Sequence, residues 1–249
     1  MLEGLATWGR FGVFAAQIGW RLLVPPHFWG ATIEQLWVIC ARCIGPVLAV
    51  NMPVGMVIAL QALEIFSLFG SERLLSSLVC VAMLRELAPV MASVLVAAQG
   101  GSSVAAELGA MRVQEEIDAT EVMAVDSLRL HAVPRILALT LAAPILYAVG
   151  AAAGIAGSFV TAVWLKGEPG GIFLASMWAL AEPIDAWAGL LKTLCFGATI
   201  GLVAGFHGYY VTGGAAGVGR AVNQTVVRSV LGFVTLNYVL TSLLYGGVQ

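Results

Sequence analysis

Arg85 and Glu86 stand side by side near the middle of an apolar run from Leu74 to Val96, and Pro89 follows within one helical turn. If that run crosses a bilayer, each charge costs at least about 2.5–3.5 kcal/mol on insertion scales, and such residues mark functional sites by default. Adjacent residues on a helix point about 100° apart, so these two do not face each other as i,i+4 neighbours do. Each then needs its own partner, a water-filled cavity or the headgroup of a ligand; a buried structural ion pair is the competing explanation. Pro89 clashes with the carbonyl of residue 85 and supplies no N–H, so a bend and a free carbonyl are expected beside the charges. In the preceding apolar run, Ile58, Gln61, Ile65 and Phe69 recur at helical spacing with Phe66 alongside. That stripe offers a facing surface, although ordinary helix packing explains it equally well.

The elements that carry these residues follow from composition. Of 249 residues, 60% are hydrophobic and 10% charged, against roughly 25% charged in an average soluble protein. No soluble domain of this length buries so much apolar surface, so the surplus is expected to face lipid. A net charge of −2 offers nothing to nucleic acid. The start of the chain carries Glu3 and Arg10 and has no clear cleavage site, so a cleavable signal peptide is not expected.

A spanning helix needs roughly 20 apolar residues. Five stretches qualify: about 47–69, 74–98, 134–165, 185–211 and 222–245. In the N-terminal stretch, Trp8, Phe11, Ala15, Ile18 and Leu22 fall on one side of a helix, opposite Glu3, Arg10, Gln17 and Arg21. That pattern suits a helix lying in the membrane surface, ended by Pro25 and Pro26. Residues 28–45 read as a second interfacial or half-inserted helix, with a sixth span as the alternative. The expected fold is therefore all-α and integral to the membrane. Interfacial helices occupy residues 1–45, and a five-span domain occupies residues 46–249. With the N-terminus cytoplasmic, Arg10, Arg21, Arg42, Arg112, Arg129, Arg135, Arg220 and Arg228 are cytoplasmic, against Arg73 and Lys166 outside. The C-terminus is then outside.

Small residues recur every four positions in the third span (Gly150, Gly154, Ser158) and the fourth (Gly197, Gly201, Gly205), which lets helix backbones approach closely in lipid. Lys192 and His207 flank the second stripe and are expected to snorkel towards the interfaces. The polar connection from Glu107 to Arg135 sets Val113, Ile117, Thr120 and Met123 on a narrow apolar face among acidic residues. Such a helix is either a solvated loop helix or one that docks into a partner's groove. Other chemistries find little support. Cys40 and Cys43 form a lone C-x-x-C, and His27, His131 and His207 are scattered, so neither a metal site nor a catalytic constellation is expected. The glycine-rich run Gly213–Arg220 lacks the lysine and Ser/Thr of a phosphate-binding loop. An ion-coupled secondary transporter is the rival transport mechanism.

Several blocks together resemble the MlaE/YrbE-type permeases: Leu84-Arg85-Glu86-Leu87-Ala88-Pro89-Val90, the run from Gly101-Ser102 to Ala106-Glu107-Leu108-Gly109-Ala110-Met111, and Glu116 through Asp126 to Pro134-Arg135. The similarity continues through Lys192, Gly208-Tyr209 and Gly217-Val218-Gly219 to Thr225-Val226-Val227, covering about residues 45–247. The resemblance implies a multi-pass inner-membrane subunit of an ABC system that carries phospholipid or a related lipid. It implies a second copy of the chain, cytoplasmic ATPase subunits that bind the ATP, and an MCE-domain protein on the periplasmic side. By the same resemblance, the helix at about 114–124, with Glu115, Glu116, Ile117, Asp118, Thr120, Glu121 and Met123, couples to the ATPase. Ile58, Gln61, Ile65, Phe66, Phe69, Arg85, Glu86 and Leu87 match positions lining a lipid pocket, where Arg85 would attract a phosphate. The family usually has an arginine where this chain has Gln99, which removes one charge near the expected ATPase side.

Overall fold

The computed structural model describes residues 2–23, 29–68 and 75–246. Among these the regular elements are all helical: α1 (Leu2–Leu23), α2 (Trp29–Leu68), α3 (Leu75–Ala82), α4 (Ala88–Leu95), α5 (Ser102–Val113), α6 (Glu116–Val122), α7 (Val133–Phe159), α8 (Gly170–Ser176), α9 (Pro183–Tyr209) and α10 (Gly214–Tyr245). Short π-helical segments at Met83–Leu87 and Val96–Gly101 fuse α3, α4 and α5 into one long rod, and two more extend α7 at either end. Among the described residues, five helices are then long and apolar enough to cross a membrane: Trp29–Leu68, Leu75–Val113, Leu128–Leu165, Pro183–Tyr209 and Gly214–Tyr245. The all-α, five-span expectation holds, and the fourth helix matches its expected apolar stretch in length while the others run longer than theirs.

One boundary changes. Residues 28–45 were expected to form a separate interfacial helix, yet α2 runs without interruption from Trp29 to Leu68, through both Pro46 and Pro53. The division at 45/46 therefore falls inside a helix. The reason is a single buried stripe, Ile39, Cys43, Val47, Asn51 and Ala59, whose four-residue spacing continues straight across the prolines. A continuous buried face outweighs the hydrogen bonds that two prolines remove.

The chain folds as two compact units, each built from three separated stretches. The first comprises Met1–Ile39, Val96–Ala142 and Gly197–Phe233. Its apolar centre joins Phe14 and Ile18 of α1 to Ile117, Leu128, Ile136, Phe206 and Tyr209, with Phe14 and Phe206 edge to face at 5.7 Å. Phe11 and Leu22 also pack against this cluster, so the apolar side of α1 turns onto its own unit. Arg21 Nε donates to Asp126 Oδ2 at 2.7 Å and pins the far end of α1.

The second unit comprises Cys40–Leu95, Ala143–Phe196 and Val234–Gln249. Here the small-residue stripe of α7 does what its spacing suggests. Gly150 lies against Val47 and Asn51, Gly154 against Met83 and the backbone of Asn51, and Gly157 against Met52, while Gly55 of α2 abuts the backbone of Gly154. A Cβ at Gly55 would overlap the Gly154 carbonyl, so α2 and α7 touch backbone to backbone. We predict that Gly154→Leu lowers the melting temperature in detergent by roughly 5–10 °C, as overpacking of a tight contact does. Gly219→Ala, at a position with open space around it, should leave it unchanged. Equal melting of both variants would refute the close contact.

Candidate functional site

The second unit holds a polar cluster between its helices, and Pro89 explains where it forms. The Ala88 N–H donates to the Met83 carbonyl, which sets Met83–Leu87 in π register. In that register the next donor owed to Leu84 is Pro89, which has no N–H; in α register Pro89 would be owed to Arg85. Both carbonyls receive a side-chain donor instead. Tyr147 Oη donates to the Leu84 carbonyl at 3.2 Å, and Lys192 Nζ donates to the Arg85 carbonyl at 2.9 Å. Gly189 lies against the Tyr147 hydroxyl, where a Cβ would overlap it.

The two charges of the second span point apart, and each meets an opposite charge from α9. Arg85 grips Asp185 with both ends of its fork, Nε to Oδ1 at 2.7 Å and Nη2 to Oδ2 at 3.1 Å. This bidentate pairing is the strong form of the interaction. Asp185 is buried in the first turn of α9, where the helix dipole favours a carboxylate, and it also accepts the Glu182 N–H at 3.0 Å. The Tyr245 ring lies 4.6 Å from the guanidinium carbon, within cation–π range. Glu86 Oε1 accepts from Lys192 Nζ at 2.8 Å and from the Thr241 hydroxyl at 2.9 Å, while Oε2 accepts from Asn237 Nδ2 at 2.9 Å.

Lys192 is the centre of this arrangement. Its side chain is 0% exposed, and its three N–H groups meet three acceptors: the Arg85 carbonyl, Glu86 Oε1 and Thr241 Oγ1 at 2.8 Å. The expectation that Lys192 snorkels to an interface is therefore wrong. An ammonium with every donor satisfied gains nothing by reaching for water.

Beside the cluster, Ile58, Phe66 and Leu87 are half-buried against the core that contains Met83, Leu84 and Tyr147. Gln61 and Ile65 are exposed on α2. Phe69 lies outside the described residues. The stripe and the charged pair thus belong to one unit, and the Arg85 side chain keeps 34% of its surface exposed.

The first unit carries the expected coupling segment. Two residues with left-handed backbone, Glu115 at φ 62° and Ala124 at φ 58°, bracket α6 and turn the chain sharply on each side. Arg112 Nη1 donates to Asp118 Oδ1 at 2.6 Å across the first turn. Glu121 Oε1 accepts from Tyr209 Oη at 2.8 Å and from the Ser127 hydroxyl at 2.9 Å. The Tyr209 bond, and then the Ser127 bond, hold this carboxyl below its ordinary value of 4.5. One member of the expected apolar face, Ile117, turns inward, while Val113 and Met123 remain exposed. Ile117 is 0% exposed and packs into the aromatic cluster of its own unit, so it is removed from any docking surface. Met123, at 65% exposed, faces outward as that face requires, and Val122, at 88%, joins it. Glu115, Glu116 and Glu121 are exposed beside them, with Asp118 and Thr120 half-buried.

The family model for the permease MlaE matches residues 32–243. The chain belongs to the MlaE permease family. A probable ABC transporter permease protein of Rickettsia bellii is 33% identical over 237 residues, covering 95% of this chain and 92% of that one. The intermembrane phospholipid transport system permease protein MlaE of Haemophilus influenzae is 31% identical over 245 residues, covering 96% and 92%. The chloroplastic protein TRIGALACTOSYLDIACYLGLYCEROL 1 of Arabidopsis thaliana is 32% identical, covering 94% of this chain and 67% of that protein. This is accordingly a multi-pass ABC transporter permease, which removes the ion-coupled alternative.

In this MlaE-family permease the partners of Arg85 and Glu86 escaped sequence reasoning, although a signal existed. Asp185 and Lys192 are seven residues apart, two turns along one face of the fourth span. They present in order the two charges opposite to Arg85 and Glu86. Asn237 and Thr241, four apart, form the polar face of the fifth. Replacing Lys192 by Met should strand Glu86 and destabilise the permease by about 3 kcal/mol, as breaking a buried pair does. Adding Glu86→Gln should restore at least half of that in detergent melts; strictly additive losses would refute the pair.

Glu121 makes a pH-dependent contribution. Because its folded value is lowered, the contribution is full at neutral pH and fades as pH falls below 4.5 through the folded value. Amide exchange in α6, corrected for intrinsic rates, should therefore show weaker protection near pH 3.5 than at neutral pH. Glu121→Gln should remove the difference, and equal protection at both pH values in the unaltered permease would contradict this role.

Proposed function

We propose that the permease moves phospholipid, or a closely related lipid, between the inner membrane and an MCE-domain partner on the periplasmic side. In this reading two copies of the chain associate, cytoplasmic ATPase subunits bind and hydrolyse the ATP, and the permease itself is not an enzyme. The N-terminus is cytoplasmic, and α1 lies along the membrane surface with Trp20 outward. The likeness to the phospholipid permease of Haemophilus influenzae supports the choice of lipid.

The observation that carries the reading is the twin ion pair beside the half-buried apolar stripe of α2. A guanidinium has five N–H groups, and Asp185 takes two of them from Arg85. The remaining donors, on a side chain one-third exposed, are available to a lipid phosphate. Asp185 fixes the fork's orientation, so little side-chain freedom is lost when a headgroup arrives. Ile58, Ile65, Phe66, Phe69 and Leu87 supply the apolar surface for acyl chains, with Gln61 and Glu86 as polar neighbours. On the other unit, the α6 surface of Val122 and Met123, ringed by Glu115, Glu116 and Glu121, suits a groove in the ATPase.

The test is mass spectrometry of the permease extracted gently with its native partners. An ATPase, an MCE-domain protein and phospholipid should copurify. Exchanging both members of the pair (Arg85→Gln with Asp185→Asn) keeps hydrogen bonding while removing the charge, and should cut bound phospholipid about ten-fold, the loss of one charged contact. Unchanged lipid occupancy would sink the headgroup role. Met123→Asp should lower ATPase recovery at least ten-fold, as loss of a central apolar anchor does, with thermal stability intact. Full recovery would remove α6 from the docking surface.

A further inference from the structure

The first unit contains a second basic site that the proposed transport path does not use. Arg10 of α1, His207 near the end of α9, Tyr210 just beyond it, and Gln224 and Arg228 of α10 surround an open cavity of about 250 Å³ over Phe206. At about 30 Å³ per water, it has room for a phosphate group with solvent. Among the described residues no carboxylate lines it, and neither arginine has an acidic ion-pair partner. Arg228 Nη1 donates to His207 Nε2 at 3.2 Å, and the Arg10 guanidinium carbon lies 5.6 Å from the centre of the Tyr210 ring. Both arginines are therefore held by neutral groups, their heads converge on one cavity, and no counter-charge stands beside them among the described residues.

The setting favours a lipid over a free anion. At 1.5 Å per residue α10 is about 48 Å long, against a hydrocarbon core of about 30 Å. Its polar start, which includes Arg220, Asn223 and Gln224, is the part expected to lie outside that core. Arg228, one turn further on, then sits at the headgroup boundary. Val227 and Leu231 of α10 and Val13 of α1 are exposed next to the arginines, offering an apolar track leading away from the basic cavity. Basic pockets between helices at this level suit phosphate-bearing headgroups.

We propose that this cavity binds the phosphate of an anionic phospholipid as a resident lipid that fastens α1 to α9 and α10, separate from any lipid being transported. The test uses the full-length permease in phosphatidylcholine nanodiscs carrying a trace of phosphatidylglycerol with a photoreactive headgroup. Labelled peptides are mapped by mass spectrometry. Label should appear on the peptides containing Tyr210 and Gln224. It should fall about five-fold in Arg10→Gln or Arg228→Gln, and about 25-fold in the double variant, if the two contacts add. The double lysine variant, which keeps both charges, should retain most of the label and serves as the folded control. Undiminished labelling in the double glutamine variant would overturn the site. Equal labelling by a photoreactive phosphatidylcholine would overturn its preference for anionic lipid. Displacement by inorganic phosphate as effective as that by unlabelled phosphatidylglycerol would show a free-anion site and overturn the lipid assignment.

Discussion

The missing N–H of Pro89 is the constraint around which the second unit is arranged. One absent donor within a membrane-spanning helix leaves carbonyls that other helices must satisfy. Tyr147 and Lys192 answer from α7 and α9. The lysine then requires a counter-charge at the same depth, which Glu86 supplies. Asn237 and Thr241 complete the shell of Glu86 from α10. A charged side chain left unpaired at the bilayer centre costs at least about 2.5–3.5 kcal/mol on insertion scales. Paired as they are, these side chains tie α9 and α10 to the distorted helix with fixed register.

Part of this was legible in the residues. Charged neighbours pointing apart on a helix forecast separate partners, and Pro89 forecast an unclaimed carbonyl; the structure has both. The glycine spacing of α7 forecast close packing, which Gly55 reciprocates from α2. The identity of the partners was less accessible, because pairing depends on which helices adjoin, and local spacing does not encode adjacency. Lys192 was misjudged on that account, since its position in the sequence suits snorkelling until a carboxylate is found beside it. Ile117 was misjudged for a related reason. A seven-residue helix presents an apolar stripe without saying whether that stripe meets its own chain or another, and Phe14 and Phe206 claim it first. The continuity of α2 was hidden by its two prolines, which local rules count as breaks.

The two ends of α6 are held in unlike ways from its middle. Glu115 and Ala124 adopt a left-handed backbone without being glycine, a strain of about 1–3 kcal/mol each. The anchored Ile117 and the bonds from Arg112, Tyr209 and Ser127 offset that strain. A short segment fixed this firmly moves as one piece with the helices that hold it.

The sequence distance across the ion pairs bears on how the chain is made. Arg85 and Glu86 emerge from the ribosome 100 and 106 residues ahead of Asp185 and Lys192, and Asn237 and Thr241 come later still. At synthesis rates of about 5–20 residues per second, the second helix waits roughly 5–20 s for its counter-charges. During that interval its charges have only the insertion machinery, water or lipid headgroups as company. The charges of the second helix thus gain their protein partners only once α9 is made.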